Sequence, residues 1–294
     1  MRGARSRRAV ALTAVGLVLL GVGVAGAFVG HAAMSSPAPA PAARSGPVSA
    51  DALGASAATR NQAAKWIAGQ VASSAVVACD PAMCAALQAD GLAATRLLVL
   101  RTASADPLGS DLVVATAAVR NQFGSRLASV YAPAVIASFG SASGRIDVRA
   151  IAPDGTAAYR SATAADRRSR ISAGTQLLRN RRIAVTAGAR AALSTGDVDP
   201  RLLLMLAALA VEQPVRISGF GDPSPGAGQA VPLRSAQLAP LRPGAQAESS
   251  LRSMLSFIEA QQQPFLPLRA SLIGTSALTV EYAAPGPIGL LSGP

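Results

Sequence analysis

Histidine is almost absent from this sequence, and its scarcity excludes several kinds of enzyme. His31 is the only histidine among the 294 residues. The chain after it therefore has no histidine for a Ser-His-Asp triad or a Cys-His pair. Zinc hydrolases bind their metal through two or three histidines, so that class is excluded as well. We expect no cofactor and no metal, and any catalysis would have to use carboxylates alone.

Aromatic residues and lysine are also scarce. Aromatic residues make up 3% of the chain, whereas hydrophobic residues, mostly Ala, Leu and Val, make up 50%. This composition predicts cores built from modest aliphatic side chains. The formal net charge of +12 is carried almost entirely by arginine, because Lys65 is the only lysine. The charge has two interpretations: a composition bias with a solvated surface, or contact with anionic envelope polymers or lipid headgroups.

The long apolar run of the chain covers residues 9–29 and follows four closely spaced arginines, Arg2, Arg5, Arg7 and Arg8. Its length matches the ~20 residues that a helix needs to cross a bilayer. Arginines on one side only place the N-terminus in the cytoplasm. We therefore predict a cytoplasmic stub over residues 1–8, a single transmembrane helix over residues 9–29 and an extracellular remainder. The alternative is a cleaved signal peptide and a secreted protein. Under either interpretation we expect no nucleic-acid partner.

Composition divides the remainder into a linker, two domains and a tail. Residues 30–50 are rich in Pro and Ala, which predicts a semi-rigid spacer. Beyond them, strand and helix patterns alternate, which predicts an α/β fold of two Rossmann-like domains or subdomains with mainly parallel sheets. We place the first α/β domain at residues 51–155, the second at residues 156–285 and a flexible tail at residues 286–294.

Four segments carry specific expectations about exposure. Residues 75–79 and 112–115 are continuous apolar runs, typical of strands that are covered on both faces. Residues 145–151 alternate instead, which predicts the half-exposed second strand of a hairpin at a sheet edge. Residues 222–247 hold many Pro, Gly, Gln and Arg residues and predict a long loop.

Cys79 and Cys84 are the only cysteines, and they are separated by four residues. In an oxidising compartment such a pair most simply forms a disulfide. The bond would join the end of one strand to the first turn of the next helix. On the chain-entropy model, closing so small a loop contributes roughly 2 kcal/mol. The alternatives are two free buried thiols or a functional pair.

Six arginines stand close together in the second half of the sequence. A cluster of this kind is interpreted either as a contact site for an anionic polymer or as a solvated helix face. The members of the cluster are Arg167, Arg168, Arg170, Arg179, Arg181 and Arg182.

Seven aspartates lie near predicted turns. Asp80 and Asp199 each precede a proline, which predicts a helix N-cap followed by proline at the first helical position. We interpret most of the seven as caps and turn-formers, with a glycosidase pair as the alternative. The other five are Asp106, Asp111, Asp154, Asp197 and Asp222.

Two parts of the chain resemble known families. The segments AAKWIAGQV, AVVACD, CAALQADG, DLVVAT and IASFGSASGRIDVRAI, within residues 60–155, resemble the soluble extracytoplasmic domain of some actinobacterial polytopic glycosyltransferases. This resemblance implies a Rossmann-like fold. It also argues against transferase activity, because that family's active site lies in a multi-span membrane half without a counterpart in this sequence.

Residues 177–234, from LLRNRRIAV to VRISGF and beyond, are similar to the region that precedes the active site in some peptidoglycan carboxypeptidase-like proteins. In that family metal-binding histidines and aspartates should follow, but the chain reads GDPSPGAGQAVPLR, so the metal ligands are missing. As a whole, the chain resembles single-pass membrane or exported proteins of streptomycetes and their actinobacterial relatives.

The leading hypothesis is a non-enzymatic binding or scaffold module of the cell envelope, tethered outside the membrane. Its expected partners are the lipid bilayer through residues 9–29 and either an anionic cell-wall polymer or a membrane protein. Two alternatives stay open: a cell-wall glycan hydrolase or transferase that uses carboxylates only, and an accessory subunit of a membrane complex.

Overall fold

The structure is a computed structural model that describes residues 50–101, 106–222, 224–228, 231–242 and 246–291. The predicted stub, the predicted transmembrane helix and nearly all of the predicted linker lie outside these residues. Within the described ranges, no helix is both long enough and apolar enough to cross a membrane. Pro47–Pro294 forms one compact unit, and it contains two five-stranded sheets.

Sheet 1 is built from the strands that precede residue 151, in the order β2-β1-β3-β5-β4. β1 is parallel to β2 and β3, whereas β5 is antiparallel to β3 and β4. Its strands are β1 (Val77–Cys79), β2 (Leu97–Val99), β3 (Leu112–Ala115), β4 (Ala134–Phe139) and β5 (Ile146–Ala150). The helices of this half are α1 (Ala50–Gln70), α2 (Pro81–Ala89) and α3 (Ala117–Phe123).

Both faces of sheet 1 are buried, because alternate residues of its central strands enter two different cores. Val114 packs in the core that α1 and α2 share with one face. Its neighbour Val113 packs with Val119 of α3 in the core on the other face. All residues of β1 and β3 are buried. The prediction that these apolar runs are strands covered on both sides is confirmed.

Sheet 2 is built from the strands that follow residue 182, in the order β6-β7-β8-β10-β9. β6 is parallel to β7, and the other pairings are antiparallel. Its strands are β6 (Ile183–Val185), β7 (Val215–Gly221), β8 (Ser235–Pro240), β9 (Arg269–Ile273) and β10 (Ala277–Glu281). The helices of this half are α4 (Gly155–Arg179), α5 (Ala187–Thr195), α6 (Pro200–Glu212) and α7 (Ala247–Glu259).

Sheet 2 buries one face, and all four helices of this half contribute to the same core. Leu238 of β8 and Leu278 of β10 are fully buried there with Leu206 of α6. Arg216 of β7 and Gln237 of β8 are exposed on the other face. The second half is therefore a two-layer α/β arrangement, whereas sheet 1 lies between helical layers.

The expectation of mainly parallel sheets is wrong. Among the described strands three pairings are parallel, β1 with β2, β1 with β3 and β6 with β7. The other five are antiparallel. The physical reason is that β4–β5 and β9–β10 are joined by short turns, and such a hairpin makes its two strands antiparallel.

Two local expectations are also corrected. The predicted loop at residues 222–247 contains β8, whose alternating residues Ala236 and Leu238 face the core of sheet 2. Residues 145–151 are mostly buried rather than half exposed. β5 lies between β3 and β4, so it has a neighbour on each side and β4 takes the edge position.

The two Asp-Pro helix starts are confirmed. The Asp80 carboxylate accepts hydrogen bonds from the backbone N–H groups of Ala82 and Met83 at the start of α2. Asp199 accepts one from the N–H of Arg201 at the start of α6. The first backbone N–H groups of a helix have no acceptor within the helix, and each aspartate supplies an acceptor for them.

Candidate functional site

The two sheets meet where the end of α1 contacts the residues that follow β10. We call residues 282–289 the C-terminal segment. Ala284 N donates to Gln70 O at 2.8 Å, and Ala72 N donates to Ala284 O at 2.9 Å. Val71 and Ala284 thereby form a parallel bridge. The C-terminal segment is thus fastened to the helix that packs on sheet 1.

Three buried arginine–aspartate pairs surround the C-terminal segment, and we call them the buried ion pairs. Their closest N–O distances are 2.9, 2.8 and 3.1 Å, respectively. Buried charges are costly unless they are paired and hydrogen-bonded, so each pair needs further partners. The pairs are Asp166–Arg170 in α4, Asp199–Arg201 at the start of α6, and Asp222–Arg234 beside β7 and β8.

Two of these arginines hold the C-terminal segment by its carbonyl groups. Arg234 Nη1 donates to Tyr282 O at 2.6 Å, and Arg201 Nη2 donates to Ala283 O at 2.8 Å. The Arg201 guanidinium also lies 4.9 Å from the centroid of the Tyr282 ring. Burial lowers the pKa of Arg234 and raises the pKa of Tyr282, because each charged form loses hydration. These two pairs have a structural role.

The two aspartates Asp166 and Asp199 also contact the C-terminal segment. Gly289 N donates to Asp166 Oδ1 at 2.9 Å. A Cβ atom on Gly286 would lie 2.6 Å from Asp199 Oδ2, so a larger residue would force the carboxylate to move. Gly286 and Gly289 belong to the predicted tail, and the structure places both against buried carboxylates.

A cleft opens beside α4 at this junction. An outer chamber of about 410 Å³ and an inner chamber of about 320 Å³ share many of their lining residues, and we call them together the junction cleft. Their volumes are typical of small-molecule sites, roughly 300–1,000 Å³. Both chambers are lined by Pro133 and Ala134 at the start of β4, by Tyr159, Thr163 and Arg170 of α4, and by Val231 and Pro232 before β8.

Arg170 is the charged residue that lines both the outer and the inner chamber. It is 3% exposed. Its Nε lies 2.9 Å from Asp166 Oδ2, yet that contact does not have hydrogen-bond geometry. Arg170 Nε is thus buried without a hydrogen-bond partner, and no other described residue forms a hydrogen bond with this guanidinium. The guanidinium therefore keeps unused N–H donors at the wall of the cleft.

The rim of the cleft carries further charge. Arg160 is exposed, and among the described residues it forms no ion pair. Arg167 Nη2 lies 3.5 Å from Asp197 Oδ1, and Arg167 Nε donates to Thr195 O at 3.0 Å. Burial raises the pKa of the Tyr159 phenol above its ordinary value, because the charged form loses hydration. The cleft thus combines apolar walls with arginine side chains at its rim and interior.

The six arginines of the predicted cluster do not form one patch. The buried member, Arg170, faces the junction cleft. The rest are exposed and fall into two groups about 18 Å apart along the α4 axis, as the rise of a helix requires. The first group is Arg167 and Arg168, and the second is Arg179, Arg181 and Arg182.

Cys79 and Cys84 lie at disulfide distance, with their Cα atoms 5.4 Å apart. Cys79 ends β1 and Cys84 is in the first turn of α2, as the spacing predicts. Both side chains are buried in the core beside α1. The pair therefore has the position of a structural disulfide.

Most of the seven aspartates have structural partners. Besides the two Asp-Pro caps, Asp106 accepts a hydrogen bond from Leu108 N, and Asp111 accepts one from Val76 N. Asp154 has no side-chain cap bond at the start of α4. Asp197 and Asp222 pair with arginines. In the part of the chain that the structure describes, no three His, Cys, Asp or Glu side chains group as metal ligands would.

Neither the buried ion pairs nor the cleft is predicted by the sequence. The i, i+4 spacing of Asp166 and Arg170 was visible, but the same spacing is common on solvated helix faces. What buries this pair is the C-terminal segment, which is more than a hundred residues away in the chain. No family model, curated protein or solved structure matches this chain, so the family resemblances stay predictions.

Proposed function

We propose that this chain is a non-enzymatic binding module of the cell envelope, held at the outer face of the membrane by residues 9–29. The observation that carries the proposal is the junction cleft, an apolar-walled cavity with unused donors of the buried Arg170 in its wall. Ligand sites commonly combine apolar lining with a few convergent polar groups. The positive charge of the chain adds attraction for anionic partners.

Binding is favoured over catalysis because the acids are occupied. Asp80, Asp106 and Asp199 cap helices, and Asp197 and Asp222 pair with arginines. A general acid or a nucleophile needs a carboxylate aimed at open space with a second carboxylate near it. These five aspartates are instead directed at backbone N–H groups and guanidinium groups.

The polymer form of the proposal is tested by sedimentation of the purified full chain, in lipid nanodiscs, with cell-wall sacculi. We expect co-sedimentation that weakens as salt rises, since exposed charges are screened. The double variant Arg168→Gln/Arg181→Gln should retain less protein on the sacculi than Arg216→Gln/Arg252→Gln, a control that removes two exposed arginines elsewhere. Absence of binding at every salt concentration would leave a protein partner as the remaining form of the proposal.

The competing enzymatic function is tested by a zymogram on whole peptidoglycan with single Asp→Asn variants. We expect no clearing by the parent protein. Clearing that one substitution abolishes would overturn the binding-module proposal. The location is tested by protease treatment of intact spheroplasts, which should degrade residues 60–294. Protection of that region would contradict the extracellular placement.

A further inference from the structure

We propose that the junction cleft binds a small carboxylate carried on an apolar stem, with the carboxylate on Arg170 and the stem between the apolar walls. This inference deepens the proposed function, because it rests on the chain being a binding module and adds the class of ligand. The argument uses the donors of Arg170, the lining of the cleft and its charge.

Arg170 supplies the recognition group. Its side chain is 3% exposed, its Nε is buried without a hydrogen-bond partner, and no other described residue forms a hydrogen bond with the guanidinium. A buried guanidinium with unused N–H groups is unfavourable unless a ligand or water accepts from them. A carboxylate matches the planar fork of arginine and accepts two parallel hydrogen bonds. Arg170 is also oriented by its contact with Asp166, so little ordering is needed on binding.

The walls of the cleft fit an apolar stem rather than a polar chain. Pro133, Ala134, Val231 and Pro232 line both chambers. These side chains offer no hydrogen-bonding groups, so a sugar placed there would lose its contacts with water without replacement. An aliphatic stem instead gains free energy in proportion to the apolar area that it buries.

The charge of the cleft fits a monoanion. Arg170 pairs with Asp166, and Arg167 pairs with Asp197. Arg234 of the inner chamber pairs with Asp222, whereas no described acid forms an ion pair with Arg160, the fourth arginine of the lining. The lining therefore carries one uncompensated positive charge, near the opening through which a ligand would enter. A neutral amphiphile would leave this charge and the Arg170 donors unused.

The test compares hexanoate with hexanamide, which has the same shape and no charge. Both are titrated calorimetrically into the full chain in lipid nanodiscs, with empty nanodiscs as the blank. Because hydrogen bonds to a charged group are stronger than neutral ones, we expect hexanoate to bind about tenfold more tightly or better. Equal affinities of the two probes, or no binding of hexanoate, would overturn the inference.

The location is tested by filling the cleft. Ala164 is exposed on α4 and lines the outer chamber, so Ala164→Phe should weaken hexanoate binding about tenfold or more by occupying the stem's place. Ala158 is exposed on the same helix and is not part of the lining. Ala158→Phe is therefore the matched control and should bind like the parent. Equal binding by the two variants would place the ligand elsewhere and contradict the inference.

The role of Arg170 is tested by two changes with opposite expected effects. Asp166→Asn frees the Arg170 charge and should tighten hexanoate binding about tenfold, because the ligand then supplies the missing counter-charge. Asp166→Asn/Arg170→Met removes both charges and should make hexanoate and hexanamide equal. Failure of the two variants to diverge would overturn the assignment. If sacculi binding persists while hexanoate fails, the proposed function stands and this ligand assignment falls.

Discussion

Sheet 1 and sheet 2 have the same number of strands, yet they are covered differently. Sheet 1 buries both faces, whereas sheet 2 buries one face and exposes polar residues such as Arg216 and Gln237 on the other. β1 and β3 of sheet 1 have no polar residue at alternate positions, and in β5 the alternate polar residues Asp147 and Arg149 form an ion pair. The polarity of alternate strand residues therefore determines whether helices cover one face or both faces of a sheet, whatever its number of strands.

The strongest test places a charge on the second covered face of sheet 1 and on the open face of sheet 2. Val113→Asp buries an unpaired carboxylate in the second core of sheet 1, and we expect it to cost about 4 kcal/mol or more, enough to unfold that half. Thr279→Asp lies on the open face of sheet 2 and should cost about 1 kcal/mol or less. Urea unfolding followed by circular dichroism measures both. Similar losses would mean that sheet 2 has a second covering layer.

The next test asks whether the covered faces are equivalent. Leu112 in sheet 1 and Leu238 in sheet 2 are both 0% exposed. Leu112→Ala and Leu238→Ala should each lower the free energy of unfolding by about 2–5 kcal/mol, through lost burial and the cavity that remains. The same urea titrations apply. A loss in one sheet below half of the loss in the other would show that one core collapses into the cavity more readily.

A smaller loss of stability is expected when the Cys79–Cys84 disulfide is removed. This disulfide lies in the core that packs on sheet 1. Cys79→Ala/Cys84→Ala should lower the free energy of unfolding by about 2 kcal/mol on the chain-entropy model. Reductant should destabilise the parent protein by a similar amount and leave the variant unchanged. Thiol labelling of both cysteines in denatured, non-reduced protein would contradict the bond itself.

The smallest effect concerns two threonines that cap helices after parallel strands. Thr116 caps α3, and its hydroxyl also donates to Asp80 in a buried site. Thr186 caps α5 at the surface. Thr116→Ala should cost about 2 kcal/mol because it also removes a partner of a buried carboxylate, whereas Thr186→Ala should cost about 1 kcal/mol. The contrast fails if thermal unfolding shows equal losses.

The sequence predicted local elements well and pairing poorly. The Asp80 and Asp199 helix starts and the apolar strands of sheet 1 depend on neighbouring residues, so their patterns can be seen in the sequence. β8 was missed because its short alternating run lies among the prolines and glycines of residues 222–247. The mainly parallel pairing was wrong because the alternating residues of β8 and β10 were not weighed as signs of antiparallel neighbours, whereas those of β5 did predict its hairpin with β4.

The burial of Arg170 in the candidate site could not be predicted from the sequence. Arg170 was placed in a surface cluster, since its neighbours Arg167 and Arg168 are exposed and a helix of arginines is typically solvated. Its burial depends on β4, on the residues before β8 and on the C-terminal segment, all far away in the chain. Only long-range contacts distinguish it from the other five arginines.

By itself the sequence determined the near absence of histidine, the spacing of Cys79 and Cys84, and the helix caps, because composition and short-range hydrogen bonds need no distant partner. The tertiary structure alone decided which arginines are buried, how the strands pair, and that a cleft opens beside α4. Those properties arise when segments that are distant in the chain pack together and exclude water, and the residues of one segment alone do not show which other segment will cover them.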